Sequence, residues 1–490
     1  MTAPVFELYI DGRFEAGVAS FGSLSPATGE VWADMPEARR EQVERAVEAA
    51  YRALPDPAWA GLTASARGKL LHRLAVLVEQ AAPRLAEIET ADTGKIIRET
   101  SSQIAYVAEY YRYYAGIADK IEGSHIPVDK PDMQVWMERH PVGVVAAIVP
   151  WNSQLFLSAV KLGPALAAGC TVVLKASEEA PGPLLEFARL VHEAGFPPGV
   201  VNVVTGFGPE CGAVLSAHPK VAKVAFTGGP ETARHVVAHT AGNLAKVSLE
   251  LGGKSPFMVF ADADIQSAVN AQVAAIFAAS GQSCVAGSRL LVQASIKDRF
   301  LALLVERVQS IRIGLPQDPA TEFGPLCTAR QLRTIEAVVA STVRQGGRVL
   351  TGGRRLERAG HYYPPTIVDC SGLAEADSLA TELFGPVLSV DTFDSEAEAI
   401  TKANSTAYGL AAGIFTRDLT RAHRVSRGVR SGIVWINTYR AVSPLAPFGG
   451  FGLSGHGREG GLNAALEYTS TKTVWLRTSD DAIQDPFVMR

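Results

Sequence analysis

Cysteine is scarce in this chain, with five among 490 residues. Cys170, Cys211, Cys284, Cys327 and Cys370 are an odd, widely spaced set without a C-x-x-C pair, which argues against both a disulfide framework and a zinc site. An excess of either charge is also missing: 46 Lys and Arg face 50 Asp and Glu, for a net charge of −4. Such a balance offers no electrostatic footprint for nucleic acid or an anionic membrane. No uninterrupted apolar run approaches the roughly 20 residues that a membrane span needs. The opening Met1-Thr-Ala-Pro-Val-Phe-Glu lacks a basic segment followed by an apolar one, so the expected location is the cytoplasm. Fixed-period repeats and low-complexity tracts are absent as well.

What is present is an ordinary globular composition, 47% hydrophobic and 20% charged. At 490 residues the chain exceeds the roughly 250–300 residues at which one core stops growing, so two or more lobes are expected. Helical spacing of apolar residues marks Val43–Leu54, Leu70–Leu77 and Ile104–Tyr114, the last with a tyrosine face (Tyr106, Tyr110, Tyr111, Tyr113, Tyr114) that reads as packing. Alternation from Ile121 to Arg139 reads as an extended hairpin. Strands and helices then alternate from Val144 to Leu251 and again from Pro256 to Asn437, which predicts parallel βαβ units with ligands at the strand C-terminal ends.

The chemistry concentrates in Gly281-Gln282-Ser283-Cys284-Val285-Ala286-Gly287, between a helical segment predicted to span Ile265–Ala279 and a strand from Arg289. A lone cysteine is usually a small buried hydrophobe. Two other stretches shift that reading. Ser248-Leu249-Glu250-Leu251-Gly252-Gly253 puts a carboxylate at the end of one apolar strand, and Pro150-Trp151-Asn152 puts an amide at the end of another. Thiol, carboxylate and amide are the parts needed for a nucleophile, a general base and an oxyanion donor.

With these motifs, and with Ile10-Asp-Gly-Arg, Pro26-Ala-Thr-Gly-Glu, Pro447-Phe-Gly-Gly and Gly457-Arg-Glu, nearly the whole chain resembles the NAD(P)-dependent aldehyde dehydrogenase superfamily. The resemblance implies an α/β fold with a Rossmann-type cofactor domain (1–120 and 141–252), an α/β catalytic domain (253–471) and a small β oligomerisation element (121–140 and 472–490). A homodimer or homotetramer is implied. It also implies that Cys284 adds to an aldehyde, that Asn152 and the Cys284 backbone N–H hold the oxyanion, that Glu250 activates water against the thioester, and that Lys161 supports Asn152 or a proton path.

For the cofactor, the resemblance implies contacts from Val149, Pro150, Trp151, Lys175, Ser177, Glu178, Gly208, Phe226, Thr227, Gly228, Gly229, Leu251, Gly252, Glu382 and Phe384. Glu178 would accept hydrogen bonds from ribose hydroxyls and repel a 2′-phosphate, favouring NAD over NADP. Phe226-Thr-Gly-Gly-Pro-Glu, between a strand and a helix, offers backbone N–H groups to a pyrophosphate. The family usually has serine at Gly229 and glycine at Ala233. No metal is expected.

Ser153, Val160, Ser283, Val285, Val442 and Phe448 are the expected substrate contacts. Small or polar residues at Ser153, Val160, Ala278 and Val442 stand where relatives often carry rings, which predicts a wide tunnel for a bulky or polar aldehyde. Arg440 is expected at the mouth as a solvated side chain, and Phe487–Met489 as either a docking tail or a frayed end. A CoA-acylating semialdehyde dehydrogenase, which would generally lack Glu250, is one alternative. A non-catalytic NAD-binding or redox-sensing protein on the same scaffold is another.

Overall fold

The computed structural model describes residues 4–373 and 375–488. Strands Val144–Ile148 and Thr171–Ala176 are buried along their whole length, as β-branched runs covered on both faces must be. They lie at the centre of an eight-stranded sheet in which Lys246–Glu250, Val221–Thr227, Val144–Ile148, Thr171–Ala176 and Val201–Thr205 run parallel in that spatial order. The chain starts in the middle, moves out one way through Thr171–Ala176 and Val201–Thr205, and returns to fill the other side. That reversal opens a crevice between Val144–Ile148 and Val221–Thr227, the place where open α/β sheets take ligands.

A second sheet of seven strands holds Pro256–Val259, Arg289–Gln293, Thr366–Asp369, Val387–Phe393, Ala411–Phe415 and Ile433–Ile436 in parallel, with Arg348–Thr351 antiparallel at one edge. Ser124–Ile126, Met133–Pro141 and Thr469–Arg477 form a third, antiparallel sheet. The expected hairpin and the expected C-terminal segment therefore do meet, in a register that runs from Thr469 opposite Pro141 to Arg477 opposite Met133.

Several differences from the sequence pattern have local physical causes. Residues 1–40 carry motifs but no predicted elements; among those described are strands Leu8–Ile10 and Arg13–Glu15, three residues each and too short for periodicity to reveal, and the longer Ala19–Leu24 and Val31–Glu37. Residues 455–467 fall inside the span 253–471, yet strand Gly455–His456 pairs antiparallel with Lys246–Glu250 at the edge of the first sheet. Helix Ile265–Phe277 stops two residues before the expected Ala279, because Ala279 and Ser280 turn into the left-handed region (φ 53° and 52°). Phe487 is 90% exposed in the tail, and Met489 lies outside the described residues. Among the described residues no helix is long and apolar enough to cross a membrane.

Arg289, 3% exposed, fastens the second sheet: its guanidinium donates to the carbonyls of Lys254, Lys402 and Ala403 and to Ser405 Oγ. Replacing it with methionine leaves buried carbonyls unpaired, so Arg289→Met is expected to lower unfolding free energy by about 2–4 kcal/mol in denaturant titration.

Candidate active site

Strand Lys246–Glu250 ends in a Gly-Gly break because another side chain occupies the space beyond it. A Cβ at Gly252 would stand 1.8 Å from Glu382 Oε2, and the Gly253 N–H donates to Glu382 Oε1 at 2.9 Å. The Cys284 turn is fixed in a similar way. Gly281 has φ +76°, and a Cβ there would lie 2.3 Å from the Gly385 backbone. Asn152 Nδ2 donates to the Gln282 carbonyl at 3.0 Å, Gln282 Oε1 accepts from the Cys327 N–H at 2.8 Å, and the Tyr439 hydroxyl donates to the Val285 carbonyl at 2.9 Å. Strand ends from both sheets thus hold one short loop.

The loop faces a cleft of about 1340 Å³, which Cys284, Glu250 and Asn152 all line. Of the other expected contacts, Pro150, Trp151, Thr227, Gly228, Gly229, Leu251, Gly252, Glu382 and Phe384 line it, as do Ser153, Val160, Ser283, Val285, Val442 and Phe448. Trp151 and Phe384 meet edge to face, 5.4 Å between centroids. Other residues are placed differently. Val149 and Phe226 are core residues, 2% and 4% exposed. Lys175 and Glu178 form an ion pair at 3.2 Å at the end of Thr171–Ala176, where Ser177 is also buried, and Gly208 opens the short helical turn Gly208–Gly212. These four are not among the residues that line the cleft.

Electrostatics in the cleft are dominated by burial. The Cys284 thiol is pushed up to about 12, first by burial and then by the carboxylates of Glu382 and Glu250, so the thiol is the resting form. Glu250, 5% exposed, is held well above the ordinary carboxylate range by burial and by the nearby Glu459. Glu382 is raised to about 7, again chiefly by burial.

Lys161 does not line the cleft; it is 1% exposed, donates to Thr227 Oγ1 at 2.6 Å and pairs closely with Glu459. Sequence reasoning assigned no role to Glu459, although Gly457-Arg-Glu was conspicuous, because nothing local links it to Lys161. Lys95, Glu99 and Gln103 were also missed; they lie on or before helix Ile97–Ile117 and line the cleft, as do Tyr106 and Tyr110 of the expected packing face. Arg440 is tied down rather than solvated, donating to the Ala274 and Ala278 carbonyls at 3.1 and 3.3 Å.

An α/β scaffold that presents a thiol, a carboxylate and an amide to one deep cleft at a sheet's switch point defines a thiol-dependent enzyme. The chain belongs to the aldehyde dehydrogenase family, whose model matches residues 15–474. It is 75% identical over 485 residues to (Z)-2-((N-methylformamido)methylene)-5-hydroxybutyrolactone dehydrogenase of Acinetobacter baylyi, covering 99% of each chain. Among solved structures it resembles PnpE from Pseudomonas sp. WBC-3 in complex with nicotinamide adenine dinucleotide (43% identical, TM-score 0.95, 98% of this chain and 99% of that one). It also resembles the NAD+ complex of an aldehyde dehydrogenase from Bacillus cereus (39% identical, TM-score 0.95, 97% of each).

Because the Cys284 thiol is held neutral, iodoacetamide should modify it slowly at pH 7, with a rate that climbs toward pH 10 and above without a plateau near neutrality. Labelling kinetics followed by mass spectrometry check this. Gly281→Ala, which sets a methyl against the Gly385 backbone in a left-handed turn, should destabilise the fold by about 2–4 kcal/mol in thermal unfolding.

Proposed function

We propose that the chain oxidises an aldehyde to the free carboxylic acid with NAD, through a thioester on Cys284. The observation that carries this reading is the convergence of Cys284, Glu250 and Asn152 on one cleft large enough for a dinucleotide and a substrate together. The fit to the cofactor rests on the open space at Gly229, where a Cβ would meet nothing within 4 Å, and on the start of helix Pro230–Thr240 beside it. Trp151, Thr227, Gly228, Glu382 and Phe384 would hold the dinucleotide on the cleft side, and Lys175, Ser177 and Glu178 its adenosine ribose. The Glu178 carboxylate disfavours a 2′-phosphate. When bound, NAD supplies the hydride acceptor.

The protein's own groups do the rest. Cys284 gives its proton to a neighbouring base and bonds to the aldehyde carbon, making a thiohemiacetal. Asn152 and the Cys284 backbone N–H donate to the oxygen that becomes negative; losing one such donor costs about 2.7–4 kcal/mol of transition-state stabilisation. Loss of hydride leaves a thioester. Glu250, whose raised proton affinity suits a base working near neutrality, then takes a proton from water as that water attacks the acyl carbon, releasing acid and thiol. Lys161 and Glu459 form a buried ion pair behind Thr227 that can carry the proton onward.

Polar and small residues at Ser153, Val160 and Val442 support a bulky or polar aldehyde. The name of the Acinetobacter baylyi relative, a dehydrogenase of a formamide-bearing hydroxybutyrolactone, points the same way, to a bulky and polar substrate. The location proposed is the cytoplasm, and a homo-oligomer, dimer or tetramer, is supported by the antiparallel sheet of Met133–Pro141 and Thr469–Arg477, where Trp475 and Leu476 are 55% and 47% exposed.

NADH should form from NAD and aldehyde without CoA, with NADP a poorer cofactor, and Cys284→Ala should abolish it. Strict dependence on CoA would replace this reading with an acylating one. The acid limb of kcat should lie well above the usual carboxylate range, since a base with a raised pKa is ionised only at higher pH, and Glu250→Gln should remove that limb while lowering kcat by roughly 10²–10⁴.

A further inference from the structure

The cleft wall beside Asn152 carries polar side chains that this chemistry does not use. Lys95 is 4% exposed, and its ammonium faces Glu89 Oε1 at 2.5 Å, Gln103 Oε1 at 2.6 Å, the Asn152 carbonyl at 3.1 Å and Ser153 Oγ at 3.2 Å. Four acceptors exceed the three N–H bonds of an ammonium, so Lys95 has nothing left for a ligand. Ser153 is committed as well. Its hydroxyl donates to the Asn152 carbonyl at 2.7 Å, and its oxygen faces Lys95 and, at 3.3 Å, Gln103 Nε2.

Gln103 differs. An ammonium cannot accept, so the oxygen of the Gln103 amide must face Lys95 and its nitrogen must face Ser153. One of the two amide hydrogens is used there. The other is the uncommitted donor of the cluster, on a half-buried side chain that lines the cleft. The same cleft is lined by the apolar Phe156, Leu157, Val160 and Val442 and by the charged Arg98, Glu99 and Arg440. The charge on Lys95 is matched by its ion pair with Glu89.

We propose that Gln103 is a specificity-determining residue whose free amide N–H takes an uncharged carbonyl acceptor, such as a formamide or other amide, on the substrate away from the aldehyde. Lys95 is its positioning residue: it fixes which way the amide faces and braces the Asn152–Ser153 backbone. A substrate lacking the acceptor leaves the Gln103 donor unpaired, and a carboxylate at that donor would meet Lys95 only as one half of its ion pair with Glu89, a poor replacement for its hydration. The inference rests on the aldehyde-oxidising reading above.

The test compares three aldehydes of matched chain length, 4-formamidobutanal, hexanal and 6-oxohexanoate, on the wild-type protein, Gln103→Leu and Gln103→Glu. The glutamate variant keeps an acceptor for Lys95, so it guards against a result caused by misfolding. With the wild type, kcat/KM for 4-formamidobutanal should exceed that for the other two by roughly tenfold. Both variants should bring its ratio to hexanal down to about one, with the loss in KM for the formamide rather than in kcat. A wild-type preference for hexanal or 6-oxohexanoate, or a formamide preference that survives in both variants, would overturn the assignment. NADH formed from hexanal in those cases would leave the aldehyde-oxidising reading intact, whereas no NADH from any of the three would remove both.

Discussion

Two carboxyls and a thiol share one buried space, and charge on any of them is expensive there. Cys284, Glu250 and Glu382 are all displaced toward their neutral forms by burial; the Glu382 and Glu250 carboxylates add to the displacement of Cys284, and Glu459 adds to that of Glu250. Different cations oppose this at each group: Lys161, fully buried and paired to Glu459, at Glu250, Lys254 at Glu382 and Arg440 at Cys284. The resting site therefore favours a protonated thiol and protonated carboxyls. Such a reserve suits chemistry in which a thiol must become a nucleophile and a carboxyl must become a base at different moments.

Close backbone approach makes this crowding possible. Glu382 reaches the Gly252-Gly253 break because neither residue carries a side chain, and the Cys284 loop lies against Gly385 because Gly281 takes a left-handed turn. The two sheets contribute opposite walls. Glu250, Asn152 and Thr227 stand at strand ends of the first, while Cys284 precedes Arg289–Gln293 and Glu382 precedes Val387–Phe393 of the second. The cleft is consequently a property of the interface between lobes, and stability elements such as Arg289 also set its geometry.

Much of this was legible in the sequence, for identifiable reasons. Long apolar runs such as Val144–Ile148 and Thr171–Ala176 announce buried parallel strands, and the residues just after them are the ones a switch-point crevice exposes. Glu250 and Asn152 stood out because a polar group follows an apolar strand. Lys95, Glu99 and Gln103 did not, because a helix with a tyrosine face gives no sign of which turn meets the cleft. Glu459 was hidden for another reason: its partner Lys161 lies 298 positions away. Arg440 read as solvated because the carbonyls it caps, at Ala274 and Ala278, become available only where the preceding helix ends early.

The most direct test of a thioester on Cys284 that Glu250 resolves is intact-protein mass spectrometry of Glu250→Gln mixed with NAD and an aldehyde. A mass increase equal to the acyl group, localised to Cys284 and formed together with one equivalent of NADH, is the expected result. Continued turnover with no adduct on Cys284 would contradict it.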